Sequence, residues 1–195
     1  MPRFDKAYYD RFYRNPDTRA VTPAAARRQA EFIAAYLRHL EVPVKRIIDI
    51  GCGTGTVLRA LGRCFPRARC EGVEFSEYLC ERYGWTRGSV VDYQNTVSAD
   101  LVVCNDVLAY LDDAACERAI GNLAALTGGA LFLGVLTKED LAVCDRQRTD
   151  RAQITRPAAW YRKRLLPHYI AAGGGLYLKR PLTVTLWTLE KLGSE

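Results

Sequence analysis

Three glycines alternate behind a carboxylate in Asp49-Ile50-Gly51-Cys52-Gly53-Thr54-Gly55. The stretch lies between a β-branched run, Arg46-Ile47-Ile48-Asp49-Ile50, and a helical pattern, so it forms a strand-to-helix loop. Glycines there permit a tight turn and let a ligand come close to the main chain. A dinucleotide site wants G-x-G-x-x-G. Here the third glycine comes one residue early and Thr56 holds the later place, which argues against a dinucleotide. No Gly-Lys-Ser/Thr follows, which excludes a phosphate-cradling P-loop. Further carboxylates stand at the ends of successive expected strands: Glu74, Asp92 and Asp106. Such a row suits a cationic ligand carrying hydroxyls, not a diphosphate. Glu74, at the tip of the next strand, is where an acid accepts hydrogen bonds from a ribose diol.

The elements that must hold these residues follow from the pattern. Strands are expected at 46–50, 69–74, 86–91 (weak), 99–104 and 129–136, with helices at 54–65, 76–83 and 113–126 between them. Strands alternating with helices indicate right-handed βαβ units and a parallel sheet covered on both faces. Residues 175–179 and 183–189 read as two more strands, joined by an Arg180-Pro181 turn too short for anything but an antiparallel hairpin. Ahead of the sheet, Phe4, Tyr8 and Phe12 recur every four residues, as do Tyr9 and Tyr13, laying two aromatic stripes along a short helix that Asn15-Pro16-Asp17 ends. Thr22 caps a second helix with Pro23 at its first position, and Ala30, Ile33, Ala34, Leu37 and Leu40 form its apolar face. The division expected is a helical extension over 1–40 that covers the site and a Rossmann-like domain over 41–195.

These residues resemble the class I S-adenosylmethionine-dependent methyltransferases. The family's acid-x-G-x-G-x-G motif is matched by Asp49 through Gly55. Its second-strand acid is matched by Glu74 in Gly72-Val73-Glu74-Phe75-Ser76, and its fourth-strand motif by Ala99 through Leu108. The resemblance spans about residues 40 to 190. It implies an α/β, mostly parallel, doubly wound sheet of seven strands in the order 3-2-1-4-5-7-6, the last antiparallel. It also implies S-adenosylmethionine as cofactor, with S-adenosylhomocysteine as product. The cofactor set it implies is Asp49, Gly51, Cys52, Gly53, Gly55, Glu74, Phe75, Asn105, and either Ser89 or Asp92 toward the adenine. Ser89 and Asp92 stay alternatives because this chain has Gly88-Ser89 where many relatives have Gly-Asp.

Catalytic candidates are fewer. Asp106 and Tyr110 follow the fourth strand and face the expected reaction centre. His168 lies where acceptor-binding segments fall in the family and could take a proton from an acceptor. A helix cap, core packing and an ordinary loop histidine are their respective structural readings. The N-terminal aromatics read either as a lid or as a helix packed on the sheet. Arg146, Arg148, Arg151, Arg156, Arg162, Lys163 and Arg164 crowd residues 145–164 around Trp160 and Tyr161. They form either a solvated face or a patch for RNA.

Composition bounds the rest. The 195 residues are 49% hydrophobic and 26% charged with a net charge of +6, as in an ordinary globular domain and unlike a disordered chain. No apolar run is long enough to span a bilayer, and the first residues lack the apolar stretch of a secretory leader. Cysteines 52, 64, 70, 80, 104, 116 and 144 show neither C-x-x-C pairs nor zinc spacing, so reduced thiols in the cytoplasm and no metal are expected. The function expected is methylation of a small molecule at oxygen, nitrogen or carbon. An RNA methyltransferase or RNA-binding module using 145–164, and a cofactor-binding subunit without catalysis, are the competing readings. Oligomeric state is left open.

Overall fold

The computed structural model describes residues 4–19, 22–146 and 148–186. Seven strands form one sheet: β1 (Arg46–Ile50), β2 (Arg69–Glu74), β3 (Thr86–Arg87), β4 (Ala99–Asn105), β5 (Thr127–Gly134), β6 (Tyr169–Gly173) and β7 (Leu176–Lys179). Their order is 3-2-1-4-5-7-6, parallel from β3 to β5, with β7 antiparallel to both β5 and β6. The expected order and class therefore hold.

Helices cover both faces because apolar residues point both ways from each strand. Ile47, Leu101, Val103, Ala130 and Phe132 face α2 (Pro23–His39) and α3 (Thr56–Cys64). Their neighbours Ile48, Ile50, Val102, Cys104, Leu131 and Leu133 face α5 (Asp113–Leu126) and α6 (Ala158–Leu165). The switch of face at every residue is the two-residue period of a strand. The remaining helices are α1 (Lys6–Tyr9), which runs on as a π-helical turn through Asp10–Arg14, and α4 (Glu77–Tyr83).

Two expectations need correction. The closing hairpin is one strand earlier than 175–179 and 183–189. The chain reverses at Gly173, Gly174 and Gly175, with φ of 103°, 58° and 83°, a run of left-handed backbone that only glycine adopts freely. Buried Tyr169 on β6 and Leu176 and Leu178 on β7 then anchor the pair. Residues 183–186 form no strand, and 187–189 lie outside the described residues. The third strand shrinks from 86–91 to two residues, since Ser89 turns the chain by accepting from the Asp92 and Tyr93 amides through its carbonyl. Residues on both sides of residue 40 share one core. Thr22 caps α2 through the Ala25 amide at 3.1 Å, and Ala30, Ile33, Leu37 and Leu40 are buried in the same core as β1 and β5.

The basic segment is partly interior. Arg156 is 4% exposed and donates to the Leu111 carbonyl (2.6 Å) and to Asp113 (2.7 Å), tying the chain before α6 to the start of α5. Arg164 pairs with Glu117 at 2.5 Å and lies over the Trp160 ring. Replacing Arg156 with Met leaves a buried carbonyl without its donor, so urea unfolding of Arg156→Met should show a loss on the order of 3 kcal/mol.

Candidate functional site

The carboxyl ends of β1, β2 and β4 meet at one edge of the sheet, where ligands bind in open α/β folds. The loop after β1 bends by left-handed glycines: φ is 76° at Gly51, 54° at Gly53 and 69° at Gly55. Four of its amide groups are already engaged. Gly51 and Cys52 donate to the Val73 carbonyl (2.8 and 3.1 Å), Gly55 to the Cys52 carbonyl (2.8 Å), and Gly53 to the Glu74 carboxylate (2.8 Å). A loop whose donors point inward does not cradle phosphate. It offers a bare surface instead. Trp85 holds that surface from behind: its Nε1 donates to the Gly53 carbonyl at 3.0 Å, and its ring lies 2.3 Å from where a Gly55 side chain would begin.

Glu74 is 5% exposed and sits on the floor of the cleft. Its second oxygen accepts the Phe75 and Ser76 amides, both at 2.9 Å. A carboxylate has about four acceptor positions, and three are taken. One ribose hydroxyl fits without change, and a second displaces one of the three amides.

The cleft runs from Phe75, Ser89 and Val90 past Glu74, Gly51 and Gly53 to Asn105, Asp106, Tyr110 and Leu111. It is roofed by Phe4, Tyr8, Tyr9 and Tyr13 from the N-terminal segment. Tyr9 is buried, and the Tyr13 ring lies against Gly53. Ser76 Oγ donates to the Phe4 carbonyl at 2.6 Å and Arg14 donates to the Tyr78 hydroxyl at 3.0 Å, tying this segment to α4.

Asp49, Cys52 and Thr54 line a smaller recess that shares Gly51, Asn105, Asp106 and Tyr13 with the cleft. Burial, with the nearby Glu74 charge second, pushes the Asp49 carboxyl up to about 7. Burial alone raises Asp106 to about 6. Asp106 also holds a left-handed backbone (φ 57°), with its amide on the Gly134 carbonyl at 2.8 Å. Aspartate tolerates that conformation better than most residues, and such strain gathers at functional sites.

Of the residues expected from sequence, Gly51, Gly53, Glu74, Phe75, Ser89, Asn105, Asp106 and Tyr110 share the cleft, and Asp49 and Cys52 adjoin it. Gly55 reaches neither space and starts α3. Asp92 is exposed and lines neither. His168 is at the other end of the sheet. Tyr169 pairs with Lys179, and the next residue of that strand, Leu178, pairs with Ala130 near the start of β5, so the histidine lies far from the strand ends that carry the site. Sequence reasoning missed Trp85, Asp150 and Gln153. The latter two reach the Tyr110 hydroxyl from a distant loop, at 3.0 and 3.3 Å, and no local pattern signals them.

A family model described as a methyltransferase domain matches residues 24–171, from the start of α2 into β6. The chain belongs to this methyltransferase family. Trans-aconitate 2-methyltransferase of Pseudomonas aeruginosa is 29% identical to it over 146 residues, covering 70% of this chain and 46% of that protein. Cephaeline 6'-O-methyltransferase of Carapichea ipecacuanha is 25% identical over 126 residues, covering 60% and 35%. The methyltransferase chain thus spans less than half the length of either relative. Magnesium protoporphyrin IX methyltransferase from Synechocystis, solved with bound S-adenosylhomocysteine, superposes with a TM-score of 0.66 at 18% identity, over 90% of this chain and 96% of that one, and shows the shared fold.

The site fits the methyl donor. Its bare glycine bend admits a close ligand, its carboxylates suit a cation with a ribose, and no Lys, Arg or His stands among the described residues of the cleft to hold a phosphate.

Proposed function

We propose that this methyltransferase transfers a methyl group from S-adenosylmethionine to the oxygen, nitrogen or carbon of a small molecule. The observation that carries the reading is the buried Glu74 on the cleft floor, bonded to Gly53 of the glycine bend. Bound S-adenosylmethionine supplies a methyl group already activated on a sulfonium. The protein then has to position the acceptor and exclude water. Glu74 holds the ribose, and Gly51 and Gly53 admit the amino-acid part beside Asn105. Ser89, which lines the cleft, is favoured over exposed Asp92 for the adenine end, against Phe75 and Val90. Tyr9 and Tyr13 roof the site and keep water out. The printed activities of the relatives, on cephaeline and trans-aconitate, support a small-molecule acceptor. Seven free cysteines support a reducing, cytoplasmic setting, and among the described residues no helix is long and apolar enough to cross a membrane.

Binding of S-adenosylmethionine and S-adenosylhomocysteine is expected in the micromolar range or tighter by calorimetry. No heat from either at millimolar concentration would overturn the reading.

In this reading Asp106 takes the acceptor's proton. Only its ionised form can do so. Turnover should therefore rise with pH through about 6 and level off above it. Asp106→Asn should lose that rising limb and about 10²-fold in rate. The measurement is S-adenosylhomocysteine release across a panel of phenols and amines. An unchanged limb in the variant removes Asp106 from this role.

A further inference from the structure

One corner of the cleft carries chemistry that the methyl donor leaves unused. Phe4 meets Tyr8 and Tyr110 there, with ring centroids 5.1 Å apart in both pairs and planes at 82° and 90°. Aromatic faces are negative, so rings lining a cleft favour a cation within it.

The polar contacts at this corner have a fixed direction. The Tyr110 hydroxyl has one proton, and the Asp150 carboxylate at 3.0 Å can only accept it. The Tyr110 oxygen therefore accepts from Gln153 Nε2 (3.3 Å) and from the Tyr8 hydroxyl (2.8 Å). With its proton spent, Tyr8 presents only an acceptor oxygen to the cleft. Gln153 itself does not line the cleft and acts there through the Tyr110 hydroxyl. The charged side chains of the cleft are Glu74 and Asp106, and no described lining residue is basic. At this corner the Tyr8 oxygen accepts a hydrogen bond, and the rings and the two carboxylates attract positive charge.

We infer that the methyl acceptor is an amine-bearing molecule, seated with an N–H on the Tyr8 oxygen inside the Phe4–Tyr8–Tyr110 corner. The inference rests on the methyltransferase reading above. A neutral alcohol satisfies Tyr8 but gains little from the rings and carboxylates. A carboxylate acceptor at this corner meets the Tyr8 lone pair and the like charge of Asp106 and Glu74. The chain from Tyr8 through Tyr110 to Asp150 makes Tyr8 a positioning residue, because it aims a lone pair at the amine.

The test is calorimetry on the full chain saturated with S-adenosylhomocysteine, with 2-phenylethylamine, 2-phenylethanol and phenylacetate as probes. The amine should bind about tenfold more tightly than the alcohol, and phenylacetate least. Tyr8→Phe, which removes only the hydroxyl, should weaken the amine about tenfold and the alcohol less. Tyr110→Phe, which releases the Tyr8 proton, should narrow the gap between amine and alcohol. S-adenosylhomocysteine binding on the same samples reports an intact fold. Phenylacetate binding as tightly as the amine would overturn the inference. So would no amine binding at millimolar concentration with S-adenosylhomocysteine bound, or an amine affinity unmoved in both variants. Failure of S-adenosylhomocysteine to bind the unaltered chain would instead overturn the methyltransferase reading.

Discussion

Glu74→Gln should weaken S-adenosylhomocysteine binding by about 10²-fold. The carboxylate accepts three backbone amides in a buried position and has one position left for a ribose hydroxyl. Hydrogen bonds to a charged group contribute about 1.5–3 kcal/mol each, and 1.4 kcal/mol is a factor of ten. Glutamine keeps the size but turns an NH₂ group toward amides that also donate. Either Gly53 loses its acceptor or Phe75 and Ser76 lose theirs. The variant should therefore also unfold at lower urea, by about 2 kcal/mol. Calorimetry and urea melts on one preparation separate the two effects. A loss of affinity under threefold would show that the ribose does not use this side chain.

Gly51→Ala should be nearly as damaging, for a different reason. Gly51 has φ 76°, and a Cβ there would stand 2.3 Å from Val107 Cγ2. A left-handed residue with a side chain costs about 1–2 kcal/mol, and the clash must move either the loop or Val107, both of which line the cleft. A stability loss of about 2–3 kcal/mol and an affinity loss of more than about tenfold are expected. Gly84→Ala is the control. Gly84 has nearly the same φ, 71°, but nothing lies within 4 Å of its Cβ position, and it ends α4 on the surface. It should cost about 1 kcal/mol and leave binding unchanged. Equal effects at the two glycines would reduce the role of Gly51 to backbone freedom alone.

The parts of the fold legible in the sequence were those with strong local signals. The strand bounds at 46–50 and 69–74 and the helix at 113–126 agree with the structure to the residue; the β-branched run of the first and the helical spacing of the last are strong local signals. The glycine loop and Glu74 were legible for the same reason: their chemistry sits beside the turn that exposes it. The hairpin was misplaced because Leu176 to Leu189 alternates convincingly over its whole length, while three consecutive glycines mark the true reversal. His168 lies at the end of the sheet away from the cleft; the hairpin register decides that end, and a position in the chain does not reveal it. The bonds of Trp85 to Gly53, of Asp150 and Gln153 to Tyr110 and of Arg156 to Leu111 join residues distant in sequence, and no periodicity encodes such pairings.

The most direct measurement is a crystal structure of the chain soaked with S-adenosylhomocysteine. The account predicts a ribose hydroxyl within hydrogen-bond distance of the Glu74 carboxylate and the amino-acid part over Gly51 and Gly53, under Tyr9 and Tyr13. A nucleoside bound elsewhere, or lying in the cleft with Glu74 bonded only to Gly53, Phe75 and Ser76, would contradict it.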